Sequence, residues 1–368
     1  MNNRKIRAIG AGLLVAVWLG QTAGAWFGPA KDASDAERRP LKQWPGISAG
    51  SVFKGKFMKD FEGYTVDQFP LRDPFRQLKS RFHYNILGQK DNNQIYLANG
   101  FAAKMEYPYQ PKNTAFALNK FRGIYEKYLA DTGSQVYMAA VPDKGYYLAQ
   151  PNGYLAMNYE AMFRDIRQAM PWAEHIDLRD LLSIEDYYFT DTHWRQEKIL
   201  DVAQRLCQVM GAAQPQAEEF TPVTVEKPFY GVYYGQAALP MDPETMYYLE
   251  SDWLRQCVVT NHEKGKTSPV YDLSRENSRD LYEIFLSGPV SLLTVENPNA
   301  LSDRELIVFR DSFGSSISPL LMKEYKTVTL VDIRYLASSM LDSYIDFHGQ
   351  DVLFLYSTLV LNNGTTLK

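Results

Sequence analysis

The 368-residue chain predicts an α/β fold built around a mainly parallel sheet. Three observations carry that expectation. Short apolar runs alternate with stretches of helical period along most of the chain. Two of those runs, 135–141 and 306–309, are continuously apolar, as strands buried on both faces are. And Val308-Phe309-Arg310-Asp311-Ser312-Phe313-Gly314-Ser315 places a serine where a strand passes into a helix.

In chain order, Arg4, Lys5 and Arg7 precede an uncharged run of 20 residues, Ala8 to Phe27. At about 1.5 Å per residue such a helix just crosses a hydrocarbon core of about 30 Å. The basic flank lies on its N-terminal side, so the remainder is expected outside the cytoplasm. The length favours an uncleaved anchor. Ala23-Gly24-Ala25 also fits a cleavage pattern, so a removable signal peptide, leaving a secreted or periplasmic protein, stands as the alternative. The expected organisation is a membrane anchor or signal segment at 1–28, a linker at 29–47 broken by Pro29, Pro40 and Pro45, and one α/β domain from 48 to 368.

Within that domain a helix is expected from Pro74 to Leu87, capped by Asp73 and ended by Gly88. A hairpin should turn at Asn99-Gly100. A helix at 113–132, the strand at 135–141 and helices at 159–170 and 195–210 follow. The stretch from about 211 to 305 reads differently. It is aromatic and glycine-rich at Phe229-Tyr230-Gly231-Val232-Tyr233-Tyr234-Gly235 and then carries short β-like runs. It is expected as a β-rich insertion crossing over the sheet beside the site. The strand at 306–309, helix 315–325, strand 327–331, helix 333–344 and strand 351–356 complete the pattern.

The net charge of −4 offers no basic face for nucleic acid, and that class is set aside. Cys207 and Cys257 form no metal-type pair; one disulfide and two buried thiols are both open. No cofactor is expected.

Two local patterns carry chemistry. A serine at a strand-to-helix junction presents its hydroxyl at the carboxyl edge of the sheet, beside the amides of a helix N-terminus where an oxyanion could be held. Asp311 and Ser312 could instead simply cap that helix. The second pattern, Thr190-Asp191-Thr192-His193-Trp194, changes the balance. A serine nucleophile needs a base and the base needs an orienter, and Asp191, two positions from His193, can reach back to the imidazole. His83, His175, His262 and His348 lack such a context. Trp194 is expected either as a wall of the site or as core. Asp186, Asp191 and His193 as metal ligands match no ligand-spacing motif, so no metal is expected.

Together these residues resemble the SGNH-hydrolase-like proteins of bacterial polysaccharide O-acetylation, including the alginate acetylation proteins and the DHHW group. Trp44-Pro45, Asp67-Gln68-Phe69-Pro70-Leu71-Arg72-Asp73 and Tyr282-Glu283-Ile284-Phe285-Leu286-Ser287-Gly288 extend the resemblance over residues 37 to about 320. Thr192 stands where the group's label motif has His, and the serine block reads Arg-Asp-Ser where ordinary SGNH esterases have Gly-Asp-Ser. The Gly and Asn of their oxyanion hole find no counterpart. The resemblance implies an SGNH-hydrolase-like sandwich with Ser312 as nucleophile, His193 as base and Asp191 as orienter. It implies O-acetyl transfer to a cell-surface or exported polysaccharide, from a multi-pass membrane acyltransferase. An acetyl esterase and a non-catalytic polysaccharide-binding scaffold are the other readings. Lys144, in Val141-Pro142-Asp143-Lys144-Gly145, and Tyr230, in the aromatic stretch, are candidates for substrate contact; Lys144 is equally open as an exposed loop lysine.

Overall fold

The computed structural model describes residues 3–239 and 241–368. Contacts group them into two compact units, residues 94–233 with 241–368 in one and residues 3–93 with 234–239 in the other.

The larger unit is organised by an eight-stranded sheet. Its strands are β1 (Val136–Val141), β2 (Glu174–His175), β3 (Val258–Asn261), β4 (Lys266–Ser268), β5 (Leu292–Glu296), β6 (Glu305–Arg310), β7 (Thr327–Val331) and β8 (Asp351–Ser357). Their order across the sheet is β4-β3-β5-β7-β6-β8-β1-β2. From β7 to β2 every pairing is parallel. Strands β1 and β8 are buried along their whole length, β6 from Leu306 onward, which is why these runs carry no polar alternation. Odd and even residues of β1 feed two separate cores, Tyr137, Ala139 and Val141 on one face and Val136, Met138 and Ala140 on the other.

The stretch expected as a β-rich insertion is β-rich in two parts: Thr221–Thr224 and Tyr247–Glu250 pair in a small sheet of their own, and three short strands join the main sheet. Strands β3, β4 and β5 extend one edge by antiparallel pairing, β5 joining β7 from Leu292↔Val331 to Glu296↔Thr327. Val259, Leu293 and Val295 thereby enter the same core as Leu306 and Val308.

The hairpin forms as expected, Ile95–Ala98 with Phe101–Lys104, and Asn99 and Gly100 take φ of 51° and 86°. The helix after the serine runs Gly314–Leu321. The helix expected over 195–210 is a 3₁₀ turn, Gln196–Lys198, followed by Leu200–Val209. That expected over 333–344 shrinks to a 3₁₀ turn at Ser338–Ser343, because Asp332 folds the chain back, accepting from Arg334 through its side chain and from Tyr335 and Leu336 through its carbonyl. Cys207 and Cys257 are both buried free thiols.

In the smaller unit the helix Asn3–Phe27 holds a segment, Arg7–Ala25, long and apolar enough to cross a membrane and with none of it buried. A short strand pair, Ala33–Ser34 with Arg39–Pro40, follows. The helix expected from Pro74 runs Arg72–Arg81 and continues as a π-helical turn, Phe82–Ile86. Asp73 does not cap it. It lies in the first turn, paired with Arg72 and Arg76, where the helix dipole favours a carboxylate. Glu37 and Asp67 bind Arg39, Arg72 and Arg76 in one ion-pair network.

Candidate functional site

Strand β6 delivers the serine. After Arg310 the chain turns, and Asp311 holds the turn from inside. Its Oδ1 accepts from the Phe313 amide at 2.9 Å and its Oδ2 from the Ser357 amide, at the end of β8, at 2.8 Å. Phe313 is the N-cap and no side chain caps the helix, so neither Asp311 nor Ser312 is spent there, and Ser312 is half-buried with its hydroxyl available to another partner. Gly314 serves close approach rather than a tight turn. A Cβ there would lie 2.6 Å from Cβ of Arg310, whose buried guanidinium donates to Ser315 Oγ at 3.1 Å.

That other partner is His193. Ser312 Oγ lies 2.7 Å from His193 Nε2, and His193 Nδ1 lies 2.6 Å from Asp191 Oδ1. Asp191 is wholly buried. Its Oδ1 also accepts the His193 amide at 3.1 Å, and its Oδ2 the Val232 amide at 2.8 Å. An acceptor-only carboxylate at Nδ1 requires the Nδ1–H tautomer, so Nε2 presents its lone pair to the serine. The three residues expected to act together thus lie in one hydrogen-bonded line, with the histidine and the serine 119 positions apart in sequence.

The ring of Tyr282 lies flat on the imidazole, 3.9 Å between centroids and 6° from parallel. Its hydroxyl donates to Ser316 Oγ at 2.7 Å. Phe313 covers another side of the imidazole at 5.1 Å. Sequence reasoning did not pick out Tyr282 as a site residue, although the motif block it opens had already been singled out.

The loop carrying Asp191 and His193 is gripped from several directions. Glu244 accepts from the Phe189 amide at 2.6 Å, the Thr190 amide at 2.7 Å and the Thr190 hydroxyl at 2.7 Å. Its own backbone exchanges two hydrogen bonds with Phe229. Lys144 Nζ donates to the carbonyls of Tyr188 at 2.8 Å and Phe189 at 3.2 Å. The Gly231 amide donates to Thr190 Oγ1 at 2.9 Å, the Tyr233 amide to the Thr190 carbonyl at 3.0 Å, and the Tyr233 hydroxyl to Thr192 Oγ1 at 3.1 Å. A Cβ on Gly231 would overlap the Thr190 carbonyl and the Asp191 amide. The aromatic and glycine-rich stretch is therefore a buttress for this loop, made largely of backbone.

The three expected substrate contacts fall differently. Trp194 is wholly buried, its indole donating to the Phe313 carbonyl at 3.2 Å and Ser316 Oγ at 2.9 Å. It ties the histidine loop to the serine helix and has no surface to offer a ligand. Lys144 is neither an exposed loop lysine nor a surface contact, being only 2% exposed. Burial pushes its ammonium down to about 7, against the upward pull of Glu244, Asp191 and Asp143. Tyr230 is 42% exposed, so its ring presents surface to solvent. The helix N-terminus expected to hold an oxyanion has spent three amides. Phe313 donates to Asp311 Oδ1, Gly314 to the Asp311 carbonyl and Ser315 to the Ser312 carbonyl.

A cavity of about 540 Å³ opens beside the same loop, lined by residues 97–100 of the hairpin, Phe189, and residues 241–244. Among the described residues no group of His, Cys, Asp and Glu is placed to hold a metal ion.

The fold is similar to that of a DHHW family protein from Eubacterium siraeum, with a TM-score of 0.61 and 20% identity over 75% of this chain and 94% of that one. It is also similar to PatB1 of Bacillus cereus, whose structure with a sulfonyl adduct matches at a TM-score of 0.58 and 16% identity over 73% of this chain and 95% of that one. At these identities the likeness is one of fold. No protein-family model and no curated protein matches the sequence.

Proposed function

We propose that this chain is an extracytoplasmic O-acetyltransferase that modifies a cell-surface or exported polysaccharide through an acetyl-serine on Ser312. The observation that carries the reading is the unbroken line Ser312 Oγ, His193 Nε2, His193 Nδ1, Asp191 Oδ1, at 2.7 and 2.6 Å. In the first half-reaction Ser312 Oγ attacks the acetyl carbonyl, its proton passes to His193 Nε2, and the donor leaves with that proton. Asp191, buried and triply hydrogen-bonded, stabilises the imidazolium in between. In the second, a sugar hydroxyl gives its proton to Nε2 as it attacks the acetyl ester, and Ser312 regains a proton as it leaves. Fold and sequence resemblance both point to the acetylation group, and in that group's logic a multi-pass membrane acyltransferase supplies the acetyl. The N-terminal helix fits a signal anchor or signal peptide, and a retained anchor would keep Ser312 near such a donor. The cavity by Phe189 and Glu244 and the exposed ring of Tyr230 suit a sugar chain.

The test is covalent. The full chain in detergent is incubated with an activated acetyl ester, or with a sulfonyl fluoride, and the adduct is mapped by mass spectrometry beside Ser312→Ala. Label on Ser312, lost in the variant and transferred to added polysaccharide faster than to water, is the expected result. Label released only to water makes the protein an esterase. A folded protein that binds polymer but never carries label on Ser312 would make it a scaffold.

A further inference from the structure

The helix Arg72–Arg81 and its π-helical extension to Ile86 are amphipathic in the inverted sense. Three of its polar residues turn inward. Arg72 and Arg76 pair with Glu37, Arg76 donates to the Gly235 carbonyl at 2.7 Å, and Ser80, fully buried, donates to the Ala237 carbonyl at 2.8 Å. Its apolar residues turn outward. Leu71, Phe75, Leu78, Phe82 and Ile86 recur at steps of four, three, four and four, and each keeps between 42% and 69% of its surface exposed. Lys79 and Arg81 are exposed on the same element. A soluble helix that turns two of its arginines inward and displays a stripe of Leu and Phe has much of its solvent preference reversed.

The stripe begins where the membrane-length helix ends. A Cβ on Gly24 would come within 3.1 Å of the Pro70 ring, immediately before Leu71. Beyond that helix, Lys31 and Gln68 clasp each other reciprocally. The Lys31 amide donates to Gln68 Oε1 at 2.9 Å, and Gln68 Nε2 donates to the Lys31 carbonyl at 2.8 Å. The first residue of the stripe is thereby fixed at the exit of Arg7–Ala25, at the depth of lipid headgroups if that segment crosses a bilayer. Leu and Phe facing one way with Lys and Arg beside them is the composition of a helix that lies in a membrane interface and meets anionic headgroups.

We propose that the face formed by Leu71, Phe75, Leu78, Phe82 and Ile86 is a second membrane contact, seated in the outer interface of the bilayer that the N-terminal helix anchors. The inference rests on the retained-anchor reading. A single anchor would let the smaller unit tumble about its one attachment; a two-point attachment fixes the smaller unit's orientation to the lipid surface. The occupant is lipid; a membrane protein covering the stripe is the rival outcome.

The experiment uses the full chain in vesicles of phosphatidylcholine and phosphatidylglycerol, with no other protein present. Leu78→Cys and Phe82→Cys each carry an environment-sensitive fluorophore. Cys207 and Cys257 are buried and their thiols are pushed up to about 12 by that burial, so the introduced cysteine takes the label. Lipids spin-labelled near the headgroup should quench both positions by about twofold or more. Labels that stay water-quenched and unaffected by spin-labelled lipid overturn the proposal and leave the stripe to a protein partner. The intact mass of chain isolated from cells checks the anchor separately. If the first 25 residues or so have been removed, the anchor reading fails, and quenching of the mature chain on anionic vesicles then decides the stripe by itself.

Discussion

Replacing Glu244 by Gln removes one charge and turns one acceptor into a donor at the loop that carries Asp191 and His193. The carboxylate receives three hydrogen bonds, at 2.6 Å from the Phe189 amide and at 2.7 Å each from the Thr190 amide and hydroxyl. Hydrogen bonds to a charged group contribute about 1.5–3 kcal/mol each and neutral ones about 1 kcal/mol. The Gln oxygen can keep both Thr190 bonds at neutral strength. Its amide nitrogen then faces the Phe189 N–H, donor against donor. Losing one bond and weakening two gives about 2.5–7 kcal/mol, and the half-exposed site lets water recover much of it, leaving about 2 kcal/mol. The fitting assay is native-state hydrogen exchange of the Phe189 and Thr190 amides, because a two-unit chain gives no single unfolding free energy. Exchange there should quicken about 30-fold, while amides of β6 and β8 stay as they are. Labelling of Ser312 should slow as well, since a misplacement of about 1 Å can cost about 100-fold. Exchange within about threefold of the wild type at both amides would refute the idea that this carboxylate holds the loop.

Other outcomes follow from the same geometry. Gly231→Ala should weaken its surroundings by about 1–3 kcal/mol, read as faster native-state exchange of the Val232 and Tyr233 amides, since its methyl meets backbone that cannot yield, whereas Gly123→Ala, with open space at its Cβ, should leave exchange in its own helix unchanged or slower. Asp191→Asn should leave the fold standing but cut Ser312 acylation by about 10⁴-fold, having lost the acceptor that fixes the tautomer; a loss under tenfold would remove Asp191 from the line. Carbon NMR of lysine side chains should find Lys144 titrating at about 7, and Glu244→Gln should lower it further, because burial depresses it and Glu244 opposes that fall. The Arg39 guanidinium holds the Asp67 carboxyl down to about 2, below its unfolded value. Its stabilisation is therefore present above about pH 4 and lost as pH falls through about 2. With Arg39 39% exposed, the gap between wild type and Asp67→Asn in native-state exchange of the smaller unit's protected amides should correspond to about 1–2 kcal/mol at pH 6 and close at pH 2.

The sequence announced the site where its logic is local. Asp191 and His193 are two residues apart, and Ser312 follows an apolar run directly, so spacing alone suggested their roles. It was silent where the logic is tertiary. Glu244 reads as a surface carboxylate after a proline, and nothing near it says that three donors from residues 189 and 190 converge on it. Lys144 follows a strand end like many exposed lysines; only the closing of Tyr188, Phe189 and Tyr233 around it makes it a buried ammonium. Trp194 could be assigned to wall or core only once its indole was seen to reach Ser316. The fold divides the same way. The buried parallel strands were legible from their unbroken apolar runs, but β3, β4 and β5 are short, and whether a short run joins the main sheet or folds beside it depends on a partner over thirty residues away in β7. The outward stripe at 71–86 has the right helical period. Period gives a face but not its direction, and here Arg72 and Arg76 took the inside.

Strand β8 stands between β6 and β1, so the last strand in chain order fills the middle of the sheet. Until it enters, there are two incomplete half-sheets, β1 with β2 and the five strands from β4 to β6, each with a long apolar edge open to solvent. Closing them joins residues more than two hundred positions apart, Val352 to Val136, and at the same stroke brings the Ser357 amide to Asp311 and shuts the turn that carries Ser312. Sheet and nucleophile turn are therefore completed by one and the same pairing. A chain stalled before it would be sticky and inert together, and prone to pair its open edges with those of other copies.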